Sequence, residues 1–234
     1  MKQQLSIAGL LVAVGLLALG LCIRSGIKNY GERDRVVAVR GLCEKEVEAN
    51  KVTWPIVTQD LGNDLITLYQ RTQDVNAKIL AFLKANGVTD SEISVNSPNV
   101  TDNEANAYDA SRIKSRYSLT NVIVVTSSDV NKIRNLINRQ TELLKEGVAI
   151  IAESYQYPIT YEYTNLNEIK PAMIAEATKN AREAANKFGE DSDSRLGKIK
   201  SATQGQFSIT DRDQYTPYIK TVRVVTNVTY YLED

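Results

Sequence analysis

Histidine is absent from the 234 residues of this chain. It is the side chain whose unperturbed pKa suits acid–base chemistry near neutrality, so Ser-His-Asp and Cys-His catalytic arrangements are excluded, together with every histidine-ligated metal site. Two cysteines occur, Cys22 and Cys43, which are too few for a structural zinc site built from thiolates. Chemistry by carboxylates, lysine or tyrosine stays open and needs positive evidence.

An excess of charge of one sign is also missing. Lysine and arginine together number 28, as do aspartate and glutamate. This balance gives no long-range field that would concentrate nucleic acid, so we expect no nucleic-acid partner. Glycine-rich phosphate loops of the G-x-x-x-x-G-K-[ST] or G-x-G-x-x-G type do not occur, and we expect neither a cofactor nor a metal. Apolar residues make up 43% of the chain, which is enough for a folded core.

The N-terminus carries a long apolar run, Leu5–Ile23, of nineteen residues without a charge. As a helix this run is about 28 Å long, close to the ~30 Å hydrocarbon core of a bilayer, so it predicts one transmembrane helix within residues 1–24. The alternative is a cleaved secretory signal, although the apolar region of such a signal is usually about 7–15 residues long. Positive charges flank both ends of the run and leave its orientation open.

Residues 25–34 are polar, contain two glycines and predict a short linker. If Cys22 lies in lipid and Cys43 in the folded part, the two cysteines cannot pair. Cys43 then has two interpretations: a small buried residue of a strand, as free cysteine usually is, or a redox-active thiol. No neighbouring motif explains a lowered pKa for Cys43, which favours the buried residue.

From residue 35 onward, segments with a period of two alternate with segments of helical period. The helical segments are Leu65–Asn86, a middle helix beginning near Asp129, and Glu168–Phe188. The last of these presents a narrow face of small and apolar residues: Ile174, Ala177, Thr178, Ala181, Ala185 and Phe188. Two strands joined around the sequence GLCEKE open the folded part, and two further strands follow each of the two longer helices.

The order strand-helix-strand-strand therefore occurs twice within a domain spanning residues 35–234. The first repeat covers about 35–128 and the second about 149–234. Hairpin-connected strands with long helices between them predict an α+β fold, in which helices cover one face of largely antiparallel sheets.

The stretch Tyr155–Tyr163 reads YQYPITYEY and has an apolar or aromatic side chain at every second residue. Alternate residues of a strand share a face, so the pattern predicts a strand that opens the second repeat with these side chains on one side: Tyr155, Tyr157, Ile159, Tyr161 and Tyr163. The tyrosines would pack under a helix or a neighbouring subunit, or they would form an aromatic surface for a partner. A tyrosine-lined catalytic pocket is disfavoured because no base or metal ligand accompanies them.

Carboxylates also cluster in two loops. Glu190–Gly197 reads EDSDSRLG and resembles a calcium loop in spacing, but Arg195 occupies a position that needs an oxygen ligand. Asp211 and Asp213 lie in a polar stretch between two strands. We interpret both segments as solvated loops.

Five segments together resemble the SIMPL domain family, a domain of unknown function, and in particular its membrane-anchored bacterial members. The segments are VRGLCEKEVEANKVTWPI, KILAFLKANGV, LNEIKPAMIAEATKNAREAANKF, DSRLGKIKSATQGQFSI and KTVRVVTNVTYYLE. The resemblance extends over residues 35–234. It implies an internally duplicated α+β domain, exposure to the bacterial periplasm, a tendency to self-associate and, for some members, a link to oxidative stress. It carries no catalytic residues.

The sequence thus predicts a single-pass protein of the bacterial inner membrane whose periplasmic domain acts as an interaction or assembly module, with a homo-oligomer or an envelope protein as partner. Three alternatives stay open. Two are enzymes, a thiol-dependent antioxidant using Cys43 and a carboxylate hydrolase. The third is a periplasmic protein that binds a small ligand. For the location, the alternative is secretion to the periplasm after signal cleavage.

Overall fold

The computed structural model describes residues 13–24, 35–105, 113–151 and 155–233. The strands are β1 Val36–Glu48, β2 Lys51–Gly62, β3 Ile93–Val95, β4 Asn99–Asp102, β5 Tyr117–Ser127, β6 Thr160–Glu162, β7 Arg195–Gln204, β8 Ser208–Asp211 and β9 Ile219–Glu233. The helices are α1 at residues 13–24, α2 Leu65–Ala85, α3 Val130–Arg139, α4 Thr141–Lys145 and α5 Leu166–Asp191, with a 3-10 turn at Asp90–Glu92. The α+β class with antiparallel sheets is confirmed.

The chain forms two compact units. The first comprises the described residues within Met1–Lys45, Asn167–Ser208 and Val222–Asp234, and the second comprises those within Glu46–Leu166 and Ile209–Thr221. The boundaries fall inside β1, β8 and β9, so the backbone passes between the units within strands as well as at the start of α5.

The second unit contains a five-stranded sheet of order β3-β5-β2-β6, in which β4 also pairs with β5. Strand β5 pairs antiparallel with the whole length of β2, from Val52 opposite Ser127 to Gly62 opposite Tyr117. Helices α2 and α3 pack on this sheet around buried Trp54, Ile123 and Ile133 and their neighbours. The unit therefore has its own hydrophobic core.

Helix α2 begins and ends where its sequence indicates. The Asp64 side chain accepts a hydrogen bond from the Thr67 N–H at 2.8 Å, which satisfies a backbone donor left unpaired at a helix N-terminus. Gly87 takes a φ of +79° just beyond the last turn, a conformation open to glycine at little cost. Helix α3 is capped in the same way, because the Asp129 side chain accepts from the Lys132 N–H at 2.9 Å.

The first unit contains most of a four-stranded sheet of order β1-β9-β7, in which β8 also pairs with β9. Helix α5 packs here through a stripe of residues spaced four apart: Met173, Ala177, Ala181, Ala185 and Gly189. The small side chains bring α5 very close to β1, since a Cβ added at Gly41 would lie 1.8 Å from the Ala177 carbonyl oxygen. Val39, Val228 and Tyr230 complete this smaller core.

The two sheets have related strand pairings. Strand β9 pairs with β1, β7 and β8 in one sheet, and β5 pairs with β2, β3 and β4 in the other. The strand directly before α5 is β6, which pairs with β2 in the sheet of the second unit. The repeat boundaries at 35–128 and 149–234 concern sequence duplication and stay a prediction.

Several predicted elements differ in extent. Strand β1 runs unbroken through GLCEKE, so the two opening strands join at Ala49 and Asn50 instead. Helix α5 continues past Gly189 to Asp191. Phe188 is exposed, and Gly189 is buried in its place. The buried residues of α5 are spaced four apart from Met173 onward, so the buried face ends at Gly189 and not at Phe188 as the sequence predicted.

At the N-terminus the structure describes residues 13–24 of the predicted anchor, as an exposed apolar helix. Residues 5–12 of the apolar run and the linker 25–34 lie outside the described residues. No helix within the described ranges combines the length and the apolar character needed to cross a membrane.

Candidate interaction surface

The second unit carries an open apolar groove of about 370 Å³. Six residues line it: Leu65, Ile66 and Tyr69 from α2, Pro98 and Val100 at β4, and Leu119 from β5. Leu119 is buried and forms part of the floor, whereas Ile66 is 71% exposed and Tyr69 51% exposed. Large apolar side chains that gather in one exposed concavity typify a binding surface more than a monomer surface.

The start of α2 explains why these residues project outward. The buried face of the helix contains Leu68, Thr72 and Ile79, which contact the sheet. Ile66 and Tyr69 fall outside that stripe. The helical period of the sequence predicted α2 but did not predict this groove. The second set of apolar residues in the same two turns was the available signal.

The strand side of the groove is held by polar contacts. The Arg116 guanidinium donates to Asp102 Oδ2 through Nε at 3.1 Å and Nη2 at 3.0 Å, and these bonds lower the pKa of Asp102. The backbone N–H of Arg116 donates to Asn63 Oδ1 at 2.8 Å, which ties β5 to the residue before the α2 cap. These contacts connect the ends of β4 and β5 with the residue before α2, next to the groove.

The tyrosine-rich stretch forms a much shorter strand than predicted. Strand β6 covers Thr160–Glu162 and pairs with Lys51–Thr53 of β2, whereas residues 155–157 form a turn. Pro158 has no N–H to give to a ladder, which is one reason that the strand begins after it. The prediction of one continuous strand with Tyr155, Tyr157, Tyr161 and Tyr163 on a shared face is wrong.

The four tyrosines have different surroundings. Tyr155 is fully exposed, Tyr157 and Tyr163 are half-buried, and Tyr161 packs edge-on against Tyr218 with ring centroids 6.2 Å apart. The Arg134 guanidinium lies 3.3 Å from the centroid of the Tyr218 ring. Burial raises the pKa of Tyr161. Tyr161 thus belongs to the edge of the core, and a partner contact by the other three stays a prediction.

Cys43 is buried in the first unit. Its thiol donates a hydrogen bond to Glu176 Oε2 at 3.3 Å. Burial, followed by this hydrogen bond, raises the pKa of the Cys43 thiol. A thiol held in the protonated form is a weak nucleophile, so this environment gives the thiol-dependent antioxidant no support. Cys22 is exposed on α1, and both cysteines are free.

The carboxylates with a resolved pKa shift are all displaced in the same direction. Hydrogen bonds lower the pKa of Asp64, Glu92, Asp102, Glu142 and Asp213. A glycosidase-type general acid needs the opposite shift. Asp213 accepts hydrogen bonds from the N–H groups of Tyr215 and Thr216, as expected for a polar loop. In the parts of the chain that the structure describes, no three acidic or cysteine side chains are arranged to hold a metal ion.

The described residues form two sheet-and-helix units, one of which has an open apolar groove suited to binding, and together they define an α+β protein. The chain belongs to the SIMPL family, described as a protein of unknown function (DUF541), whose sequence profile matches residues 37–230. This match confirms the resemblance seen in the sequence. No curated protein matches the chain.

Proposed function

We propose that the chain is a membrane-anchored, extracytoplasmic interaction module of the bacterial cell envelope that self-associates through the apolar groove. The groove is the observation that carries the proposal. Its residues Ile66 and Tyr69 lie largely in water in the single chain, and covering one such side chain stabilises a contact by about 1.5–3 kcal/mol.

A second copy of the chain is the occupant that we favour. Each copy also exposes large apolar side chains in its first unit, among them Phe188 and Ile199, which are suited to filling a groove on another copy. The apolar run Leu5–Ile23 supports anchoring. Anchored copies share one plane, which raises their effective concentration, so a contact of modest strength is enough for assembly. The link to stress tolerance rests on the family resemblance.

Light scattering on the purified full-length chain in detergent tests the groove. We expect the wild type to be oligomeric and Ile66→Asp to associate at least ~10-fold more weakly, because a carboxylate replaces an apolar contact of 1.4 kcal/mol or more. The folded chain should tolerate the change, because Ile66 is exposed.

The matched control is Leu144→Asp, which places the same charge on an exposed apolar position of α4 outside the groove. It should leave the oligomer intact. A wild type that stays monomeric at high concentration, or equal association of the two variants, would refute assembly through the groove.

A further inference from the structure

A second cavity of the second unit is polar. This cleft, of about 340 Å³, lies between α2, β2 and the segment after α4. It is lined by Thr58, Gln59, Asp60, Arg71, Thr72, Asp74, Val75, Lys78, Leu119, Gly147 and Ala149. The volume falls within the range of about 300–1,000 Å³ that is usual for small-molecule sites.

Charges of both signs line the polar cleft and sum to zero. Arg71, Asp74 and Lys78 are spaced three and four apart on α2 and so share one face of the helix, with Asp74 between the two cations. Asp60 on β2 pairs with the Arg71 Nε at 3.0 Å and is thereby neutralised. Asp74 has neither a hydrogen bond nor an ion pair with any residue in the described ranges.

Both cations of the polar cleft keep free donors. Arg71 Nη2 donates to the Leu61 carbonyl oxygen at 3.0 Å, and Lys78 Nζ donates to the Glu146 carbonyl oxygen at 2.8 Å. A guanidinium has five N–H groups and an ammonium three, so each side chain can bind a further acceptor while these contacts hold it in place. Both side chains are therefore held in position and still have N–H donors free to bind a ligand.

The floor of the polar cleft continues into a buried polar layer. Thr58 and Thr72 are buried, and Thr58 lies directly opposite Asn121 in the ladder between β2 and β5. Asn121 Nδ2 donates to Asn76 Oδ1 at 2.6 Å, and Asn121 Oδ1 accepts no hydrogen bond within the described residues. An oxygen buried without a donor destabilises the folded state, and a hydrogen bond from a water or ligand would relieve that cost.

We propose that the polar cleft binds a small zwitterion of the α-amino-acid class, with its carboxylate at Arg71 and Lys78 and its ammonium group at Asp74. Asp74 repels a simple anion, and Arg71 and Lys78 repel a simple cation. A ligand that carries both charges can pair with all three side chains. This binding site is separate from self-association, since the groove and the polar cleft have in common the floor residue Leu119 alone.

Saturation-transfer NMR on the full-length chain in detergent, with each free α-amino acid as probe, tests the proposal. We expect at least one amino acid to bind with a Kd of about 1 mM or lower. Its N-acetyl derivative, which lacks the ammonium charge, and its decarboxylated amine should each bind about 10-fold more weakly, as expected when one charged contact is lost.

Two variants place the binding in the polar cleft. Asp74→Asn removes the unpaired anion at an exposed position and should weaken binding of the same amino acid about 10-fold, whereas Asp191→Asn, a matched change on α5, should not. Ile66→Asp should retain binding, which separates this result from the groove. Failure of every amino acid to bind, equal binding of the single-charge analogues, or equal affinity of the two Asp→Asn variants would each overturn the proposal.

Discussion

Glu92 illustrates how one side chain joins separate elements of the second unit. Its Oε1 accepts the hydroxyl proton of Ser127 from β5, and its Oε2 accepts the Thr89 N–H at 2.9 Å. Lys132 Nζ of α3 lies 3.5 Å from Oε2. The hydrogen bond from Ser127, followed by the one from the Thr89 N–H, lowers the pKa of Glu92 to about 2. The carboxylate thus connects a 3-10 turn, a strand and a helix.

This pKa makes stability depend on pH in a defined window. The folded protein binds the Glu92 proton near pH 2 and the unfolded chain binds it near the ordinary value of 4.5, so the stabilisation is complete above pH 4.5 and is lost as the pH falls toward 2. We expect Glu92→Gln to lower the free energy of unfolding at pH 7 by about 1–2 kcal/mol and to flatten its fall in acid.

Urea unfolding of the full-length chain between pH 2 and 7 measures the effect of Glu92→Gln. Asp90→Asn is the control, because Asp90 is exposed on the same 3-10 turn and its pairing with Lys84 contributes little. Parallel pH profiles for the Glu92 variant and the wild type would contradict this role.

At the scale of elements, the close contact between α5 and β1 restricts which side chains the first unit can accommodate. The alanine stripe lets the helix backbone approach the strand so closely that Gly41 has no room for a side chain. An added Cβ would meet the Ala177 carbonyl oxygen at 1.8 Å and the Ala181 nitrogen at 2.5 Å, both of them backbone atoms that cannot move alone. The close packing of α5 on β1 therefore requires a residue without a side chain at position 41.

We predict that Gly41→Ala lowers the free energy of unfolding by about 3 kcal/mol or more, because α5 must shift along its length to admit one methyl group. Thermal unfolding followed by circular dichroism gives the measurement. Gly62→Ala is the matched control: the nearest neighbour of the added Cβ is the Arg71 Nη2 atom at 3.3 Å, at the end of a side chain that can give by a few tenths of an ångström, so its effect should stay within about 1 kcal/mol. Equal stability of the two variants would show that the close approach is not needed.

At the scale of the whole molecule, the two units divide the chain unevenly. The first takes β1 from the N-terminal side and β9 from the C-terminal end, and α5 with β7 lies between them in sequence. The second unit holds both the apolar groove and the polar cleft. A chain tethered by residues 5–23 would present these two surfaces on one side of a membrane.

Labelling with a membrane-impermeant maleimide tests the tether and its orientation. In a full-length chain carrying Cys22→Ser and Cys43→Ser, a cysteine introduced by Glu183→Cys lies on the exposed face of α5. We expect it to react in intact spheroplasts, and we expect the protein to stay with the membrane fraction after alkaline extraction. Reaction only after lysis would place the domain on the cytoplasmic side. Release of the protein from the membrane by alkali would contradict the membrane anchor.

Local signals were sufficient for much of the architecture. Helical periodicity predicted α2 and, with a start near Asp129, α3, and alternation with long intervening helices predicted the α+β class. These features depend on residues that are close together in the sequence, so local sequence patterns are enough to predict them.

Other features were decided by residues far apart in the chain. Pairing with three residues of β2 limits the tyrosine strand to Thr160–Glu162. Gly189 instead of Phe188 takes the buried position of α5, where an added Cβ would lie 3.0 Å from the Ser194 carbonyl oxygen. The groove exists because β4 and β5 meet the first turns of α2, which no local period encodes. Which strands pair, and which face of an element is buried, depend on packing between residues that are far apart in the sequence. The tertiary structure brings those residues together and so decides both.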